Sequence, residues 1–193
     1  MSIFEKAIHD ATATIESLRP LQSVHEQAAE VVGRCLLSGH KLLVCGNGGS
    51  AADAADFATE FACRFVSDRR PYPALNLAAC GSLLTAIGND YGYDEVFARQ
   101  VRAFGQRDDV FVAISTSGNS KSIISAIAAA NIAGLHTIAL LGRDGGRARG
   151  LAQMELIVPT DITARIQEAH KFLLHTLCEI VEARFILPKQ EAR

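Results

Sequence analysis

The residues best suited to chemistry in this sequence fall on two loops and two helices. Gly46-Asn47-Gly48-Gly49-Ser50 follows the apolar run Lys41–Cys45 and leads into a helical pattern. Ser115-Thr116-Ser117-Gly118-Asn119-Ser120 holds the same place after Asp109–Ile114. Ser115, Thr116, Ser117 and Ser120 each offer a hydroxyl donor. The helix that follows adds free backbone N–H groups and the positive end of its dipole. A tight turn with helix caps would by itself account for Gly118, Asn119 and Ser120. Two matched loops at equivalent places favour the oxygens of a phosphate monoester on a small molecule.

Other phosphate and hydrolase motifs fit less well. The chain has no G-x-x-x-x-G-K-[ST]. Gly46, Gly48 and Ala51 satisfy a loose G-x-G-x-x-A, but no acidic residue follows near Leu77 to hold a ribose. Ser117 lacks the G-x-S-x-G frame of a serine hydrolase.

Behind the first loop, Asp53, Asp56 and Glu60 recur at helical spacing among Ala54, Ala55, Phe57, Ala58 and Phe61. The alternatives are a solvated face or a working acidic stripe. Gln167, Glu168, His170 and His175 lie on a second amphipathic pattern among Phe172, Leu173, Leu174 and Leu177. Gln167 and His175 are roughly 12 Å apart in helix rise, so they share one ion only if their side chains lean together or if two subunits meet at the site. A lone histidine on such a helix is ordinarily a core or surface residue, which is the expectation for His170. A surface or core role is likewise expected for Arg64.

These residues need a frame to position them. Residues 2–17 and 21–38 read as helices broken at Pro20, with Ser38-Gly39 as a stop. Lys41–Cys45 reads as a strand and 50–64 as a helix, with Ser50 and Asp53 as an S-x-x-D start signal. A loop at Ser67–Pro73 precedes a strand at Ala74–Leu77, then helical pieces at 81–88 and 93–104. Asp109–Ile114 is a buried strand, 120–133 a helix, Thr137–Leu141 a strand, Gly142–Gly146 a turn and Glu155–Val158 a last strand. One long helix is expected from about 162 to 187. Alternation of this kind predicts an α/β fold, a mostly parallel sheet sandwiched by helices, and continuous apolar strands indicate burial on both faces. No linker or repeat divides the chain, so 1–193 reads as a single domain. Residues 1–38 form an N-terminal helical extension suited, with the long C-terminal helix, to packing against sister subunits.

Composition closes off other classes. Of the 193 residues, 49% are apolar and 21% charged, as in a folded globular chain. Nineteen Lys+Arg against twenty-one Asp+Glu leave a net charge of -2, which gives no basic excess for nucleic acid and no polybasic block for a membrane surface. No apolar run is long enough to span a bilayer. Glu5, Lys6, Asp10, Glu16 and Arg19 interrupt the start, so no signal peptide is expected. Cys35, Cys45, Cys63, Cys80 and Cys178 are odd in number and widely spaced, which predicts reduced thiols in a cytoplasmic protein.

Four segments together carry a resemblance: CGNGGSAADA (45–54), AIGNDYGYDEVFARQV (86–101), ISTSGNS (114–120) and RIQEAHKFLLH (165–175). In order and spacing they resemble the sugar isomerase (SIS) domain, and more narrowly the bacterial phosphoheptose isomerases. The serine loop marks only the superfamily, whereas the four segments together are specific. The resemblance implies a homotetramer of flavodoxin-like subunits with sites at subunit contacts. It implies an aldose–ketose isomerase turning sedoheptulose 7-phosphate into D-glycero-D-manno-heptose 7-phosphate, the first step toward the heptose of lipopolysaccharide. By matching position, Asn47, Gly48, Gly49 and Ser50 form the first substrate loop, and Asn89 and Asp90 contact the sugar. Ser115, Thr116, Ser117 and Ser120 cradle the phosphate. Glu60 and His175 are the catalytic pair, and Gln167 binds substrate and, where zinc is present, the metal.

The resemblance has one departure: zinc-bearing members have a His four residues before the glutamate, and this chain has Asp56. A zinc or other divalent ion on Asp56, Glu60, Gln167 and His175 is thus left open. Glu60 is expected to act as base at a carbon-bound proton, strengthened by apolar surroundings, with His175 as acid at oxygen. Two other readings remain: an isomerase of another phosphosugar, and a non-catalytic SIS adaptor that binds the replication initiator. Glu60, Gln167 and His175 together favour the enzyme.

Overall fold

The computed structural model describes residues 1–186. A five-stranded parallel sheet forms its centre, in the order β2-β1-β3-β4-β5. The strands are β1 (Leu42–Gly46), β2 (Ala74–Asn76), β3 (Val110–Ser115), β4 (His136–Gly142) and β5 (Met154–Val158). Every residue of β1 and β3 is buried, as their unbroken apolar runs require when both faces are covered.

The helices divide between the two faces because alternate strand residues point to opposite sides. Leu42, Val44, Val112, Ile114 and Leu140 pack against α2 (Gln22–Leu37), α3 (Gly49–Ala62) and α7 (Thr163–Val181). Leu43, Cys45, Phe111, Ala113 and Leu141 pack against α4 (Gly81–Tyr91), α5 (Ala98–Phe104) and α6 (Lys121–Ala133). Phe57 and Phe61 of α3 meet edge to face, with centroids 5.2 Å apart, and each buried ring contributes roughly 1.5–3 kcal/mol. α1 (Ile3–Glu16) opens with a capping box, in which Ser2 Oγ accepts from the Glu5 N–H and Glu5 accepts from the Ser2 N–H. It leaves Ile3, Phe4 and Ile8 exposed. α2 by contrast buries Ala28, Ala29, Val32 and Leu36 in the main core.

The register places the two polar loops side by side. β1 pairs with β3 from Leu42↔Val110 to Gly46↔Ile114, so both loops leave the same edge of the sheet. That edge is the carboxyl end of the strands, where open parallel sheets hold their ligands.

Several element boundaries differ from the sequence reading. α3 begins at Gly49 with Gly48 in the capping position, so Ser50 and Asp53 do not form a start signal. The turn is closed by backbone instead, with the Ser50 N–H donating to Asn47 O and the Ala51 N–H to Gly48 O. α4 runs past residue 88 to Tyr91, which puts Asn89 and Asp90 on its last turn. The expected helix at 93–104 is a single 3-10 turn at Tyr93–Glu95 followed by α5. α7 ends at Val181 and widens into a π-helical turn over Glu182–Ile186, and the last position of the expected helix, 187, lies outside the described residues. Cys35, Cys45 and Cys178 are buried, Cys63 and Cys80 are exposed, and all five are free thiols.

Candidate active site

The first loop and the serine loop are tied to each other. Asn47 Nδ2 donates to Ser120 Oγ at 2.9 Å and to Ser122 Oγ at 3.0 Å, while its Oδ1 accepts from the Tyr93 hydroxyl at 2.7 Å. Ser115 Oγ accepts from the Gly118 N–H and Ser117 Oγ from the Asn119 N–H. Gly118 has φ +63, and a Cβ there would lie 1.9 Å from the Gly145 carbonyl oxygen, so only glycine lets the β4 connection close over this loop. Ser120 caps α6 by position without a side-chain cap bond, so its hydroxyl is engaged by Asn47 and Ser122 instead. A polar hollow of about 460 Å³ opens beside the loop, lined by Asn119, Arg143, Asp144, Pro159, Thr160 and Asp161. A second, largely apolar cavity of about 450 Å³ lies between the N-terminal helices and α7 and contains none of the candidate residues.

The acidic stripe of α3 is only partly solvated, because α7 lies along it. The two helices run in the same direction and meet in a ladder. At its first rung the Gln167 amide fills the space over Gly49, where a Cβ would sit 1.9 Å from Nε2. At the middle rung Lys171 Nζ is 3.2 Å from Asp53 Oδ1 and 2.5 Å from Asp56 Oδ2. At the last rung Asp56, Glu60 and His175 converge, each offering an atom within 4.8 Å of the others. His175 Nε2 is 3.6 Å from Asp56 Oδ2, and its ring tilts against Phe65 at 5.9 Å. The hydrogen bond from Lys171 holds the Asp56 carboxyl below the usual carboxylate range against a smaller opposing effect of burial. Burial works against the charge on Lys171, but hydrogen bonds to Asp56 and Asp53 outweigh it and raise its pKa.

Glu60 is fixed from behind. Arg69 donates to the carbonyl oxygens of Glu60 and Phe61 and pairs with the buried Glu182 carboxylate at 3.2 Å. Glu182 also accepts the N–H groups of Val66 and Ser67, so the end of α3 is clamped to the end of α7. The apolar enclosure expected for Glu60 is incomplete, since its side chain is half-buried with Asp56 and His175 beside it.

The remaining candidates fall elsewhere. Gln167 lies at the Gly49 end of the ladder rather than with Asp56, Glu60 and His175, as its spacing from His175 requires within one chain. Asn89 and Asp90 are exposed and bond to each other, and Arg99 stacks 3.6 Å from the centroid of neighbouring Tyr91. His170 is fully buried. Arg64 is exposed and, among the described residues, donates to the Val66 carbonyl. The sequence reading missed Lys171, Arg69, Glu182 and Tyr93. For Lys171 a signal was present, because it stands one turn from both Gln167 and His175 on the same face.

The donor types of this cluster are ones a divalent ion takes, but the Lys171 ammonium already pairs with the Asp56 oxygen that faces His175. Two carboxylates and an imidazole are among the ligand types zinc takes, and a tetrahedral ion at ~2.1 Å keeps its ligands about 3.4 Å apart. Atoms within 4.8 Å of one another would have to close by up to about 1.4 Å to reach that geometry, with the Lys171 ammonium beside the Asp56 oxygen.

The chain is similar to known proteins over nearly its whole length. Residues 8–142 match the SIS domain family. Over 192 residues the chain is 47% identical to the phosphoheptose isomerase of Coxiella burnetii, covering 97% of this chain and 94% of that protein. It is 48% identical over 170 residues to the phosphoheptose isomerase of Helicobacter pylori, covering 88% of each. The structure of phosphoheptose isomerase GmhA from Neisseria gonorrhoeae matches with a TM-score of 0.83 at 45% identity, covering 93% of this chain and 94% of that one. A phosphoheptose isomerase from Francisella tularensis matches at 0.85 and 39% identity, covering 92% and 93%. With an SIS domain across most of its length and near-complete overlap with these enzymes, the chain belongs to the phosphoheptose isomerase family.

Proposed function

We propose that the chain converts sedoheptulose 7-phosphate to D-glycero-D-manno-heptose 7-phosphate through an enediol. The observation that carries this reading is the meeting of the Glu60 carboxylate and the His175 imidazole at the last rung between α3 and α7. Aldose–ketose exchange moves one proton between neighbouring carbons and one between their oxygens. Glu60 removes a proton from C1 of the ketose, and His175 protonates the C2 oxygen, giving the enediol. Glu60 then returns its proton to C2 while His175 takes the hydroxyl proton from the C1 oxygen. The C1 carbonyl forms, and every proton is accounted for.

The hydroxyls of Ser115, Thr116, Ser117 and Ser120 bind the phosphate, whose binding energy orients the reacting carbons. Asn47, Gly48, Gly49 and Ser50 complete this loop pair, and Asn89, Asp90 and Gln167 hold sugar hydroxyls. A divalent ion, where bound, would be held by Asp56, Glu60 and His175, with Gln167 brought from a neighbouring subunit. Such an ion would supply Lewis-acid polarisation of the substrate carbonyl.

The distance between the loop and the last rung of the ladder supports a site shared between subunits. From Gly49 to Glu60 the helix rises about 16 Å. From phosphorus to C2 the substrate spans seven bonds, about 9 Å at the ~1.3 Å per bond of an extended chain. We therefore infer that phosphate loop and catalytic pair come from different copies in a homotetramer, to which the exposed Ile3, Phe4 and Ile8 of α1 contribute. On this reading 1–193 is a single SIS domain, with 1–38 used in assembly, and the enzyme works in the cytoplasm.

The test is Glu60→Gln. Turnover of sedoheptulose 7-phosphate should fall at least 100-fold, with substrate affinity by calorimetry within about threefold of the parent. Near-normal turnover would refute the assignment.

A further inference from the structure

Lys171 belongs to neither the phosphate loops nor the proton-transfer pair, yet it sits at the centre of the ladder. Asp53 is buried, and its Oδ2 has no hydrogen-bond partner among the described residues, while its Oδ1 meets the ammonium at 3.2 Å. The ammonium therefore answers a buried charge and does not simply lie on the surface. Its second partner, Asp56 Oδ2 at 2.5 Å, is the oxygen that faces His175 Nε2. An ion held by Asp56, Glu60 and His175 must either displace the ammonium from that oxygen or bind within about 5 Å of it. A unit charge that close to a dication reduces its affinity about tenfold or more, even at the dielectric constant of water.

We propose that Lys171 is an internal cation that competes with a divalent ion for Asp56, so that this cluster binds zinc-like ions weakly and functions without one. The consequence for turnover rests on the isomerase reading, whereas the competition itself does not. Asp56 then acts as a counter-ion for Lys171 and a neighbour to His175. The position a metal would take is already held by a charge that the chain carries covalently and that chelators cannot remove.

The experiment titrates the metal-free protein with Co²⁺ and follows its visible ligand-field bands, alongside competition by Zn²⁺. Lys171→Met should bind Co²⁺ at least tenfold more tightly than the parent, and Asp56→Asn in that background should remove the gain. If Lys171→Met does not fold, Asp53→Asn combined with Lys171→Met removes the orphaned carboxylate and is titrated in its place. Equal Co²⁺ affinity with and without the lysine overturns the proposal. So does a parent enzyme that is purified with a stoichiometric ion and stops turning over when that ion is chelated. Absence of heptose isomerisation with and without metal would refute the isomerase reading alone, and the affinity comparison would still decide the role of Lys171.

Discussion

His170 should make the protein acid-sensitive in a way that one substitution removes. The imidazole is fully buried in α7, and neither ring nitrogen has a hydrogen-bond partner among the described residues. Burial pushes its pKa down to about 4, opposed only by a polar contact with the Leu141 backbone that falls short of hydrogen-bond geometry. In the unfolded chain the same group titrates near 6.5. Between these values the unfolded chain binds a proton that the native one does not, so stability falls as pH drops from about 6.5 toward about 4. At ~1.4 kcal/mol per pH unit the loss between pH 7 and pH 4.5 is about 2–2.5 kcal/mol. The full exposure change of a buried group leaves no solvent screening to discount. Urea denaturation of the parent and of His170→Leu at pH 7, 6, 5 and 4.5 measures it. Carboxylates titrate in both proteins, so the difference between the two curves isolates the histidine. The variant should gain on the parent by about 2 kcal/mol across this range, starting from rough parity at pH 7, where leucine replaces an unpaired buried imidazole. Two parallel curves, or an NMR titration that places His170 near 6.5, would refute the reasoning.

The clamp behind Glu60 should be expensive to break. Arg69→Met leaves the buried Glu182 carboxylate without its cation and should cost about 3–5 kcal/mol, read as a fall in Tm of roughly 10 °C by calorimetry. Gly118→Ala forces a Cβ toward the Gly145 carbonyl at a positive φ, so it should raise KM for the sugar phosphate at least tenfold while leaving the far-UV circular dichroism unchanged.

Much of this architecture was legible in the residues because its signals are local. The apolar runs at Leu42–Gly46 and Val110–Ser115 are continuous because both faces of the sheet are covered, and that pattern is visible without any knowledge of the neighbours. The two loops follow from them. The boundaries that moved are those where backbone closure replaced side-chain chemistry. Gly48, not Ser50, occupies the start of α3, and Tyr93–Glu95 makes one tight turn before α5 begins. The ladder was half legible. Asp53, Asp56 and Glu60 form a stripe on one helix, as do Gln167 and His175 on another, but whether the stripes meet depends on a long-range contact. Lys171 shares a face with Gln167 and His175, but its partners Asp53 and Asp56 emerge only when α3 lies against α7. Arg69 and Glu182 come together for the same reason, from loop and helix end, with no spacing rule to link them.

The bridge from Asp53 through Lys171 to Asp56 also constrains inheritance. Replacing the lysine alone strands a buried anion, and replacing Asp56 by histidine alone sets an imidazole against an ammonium. A change at either position alone carries a stability cost unless the other changes with it. Positions 56 and 171 should therefore drift as a matched couple, each identity forecasting the other, while Glu60 and His175 on the adjoining rung stay put.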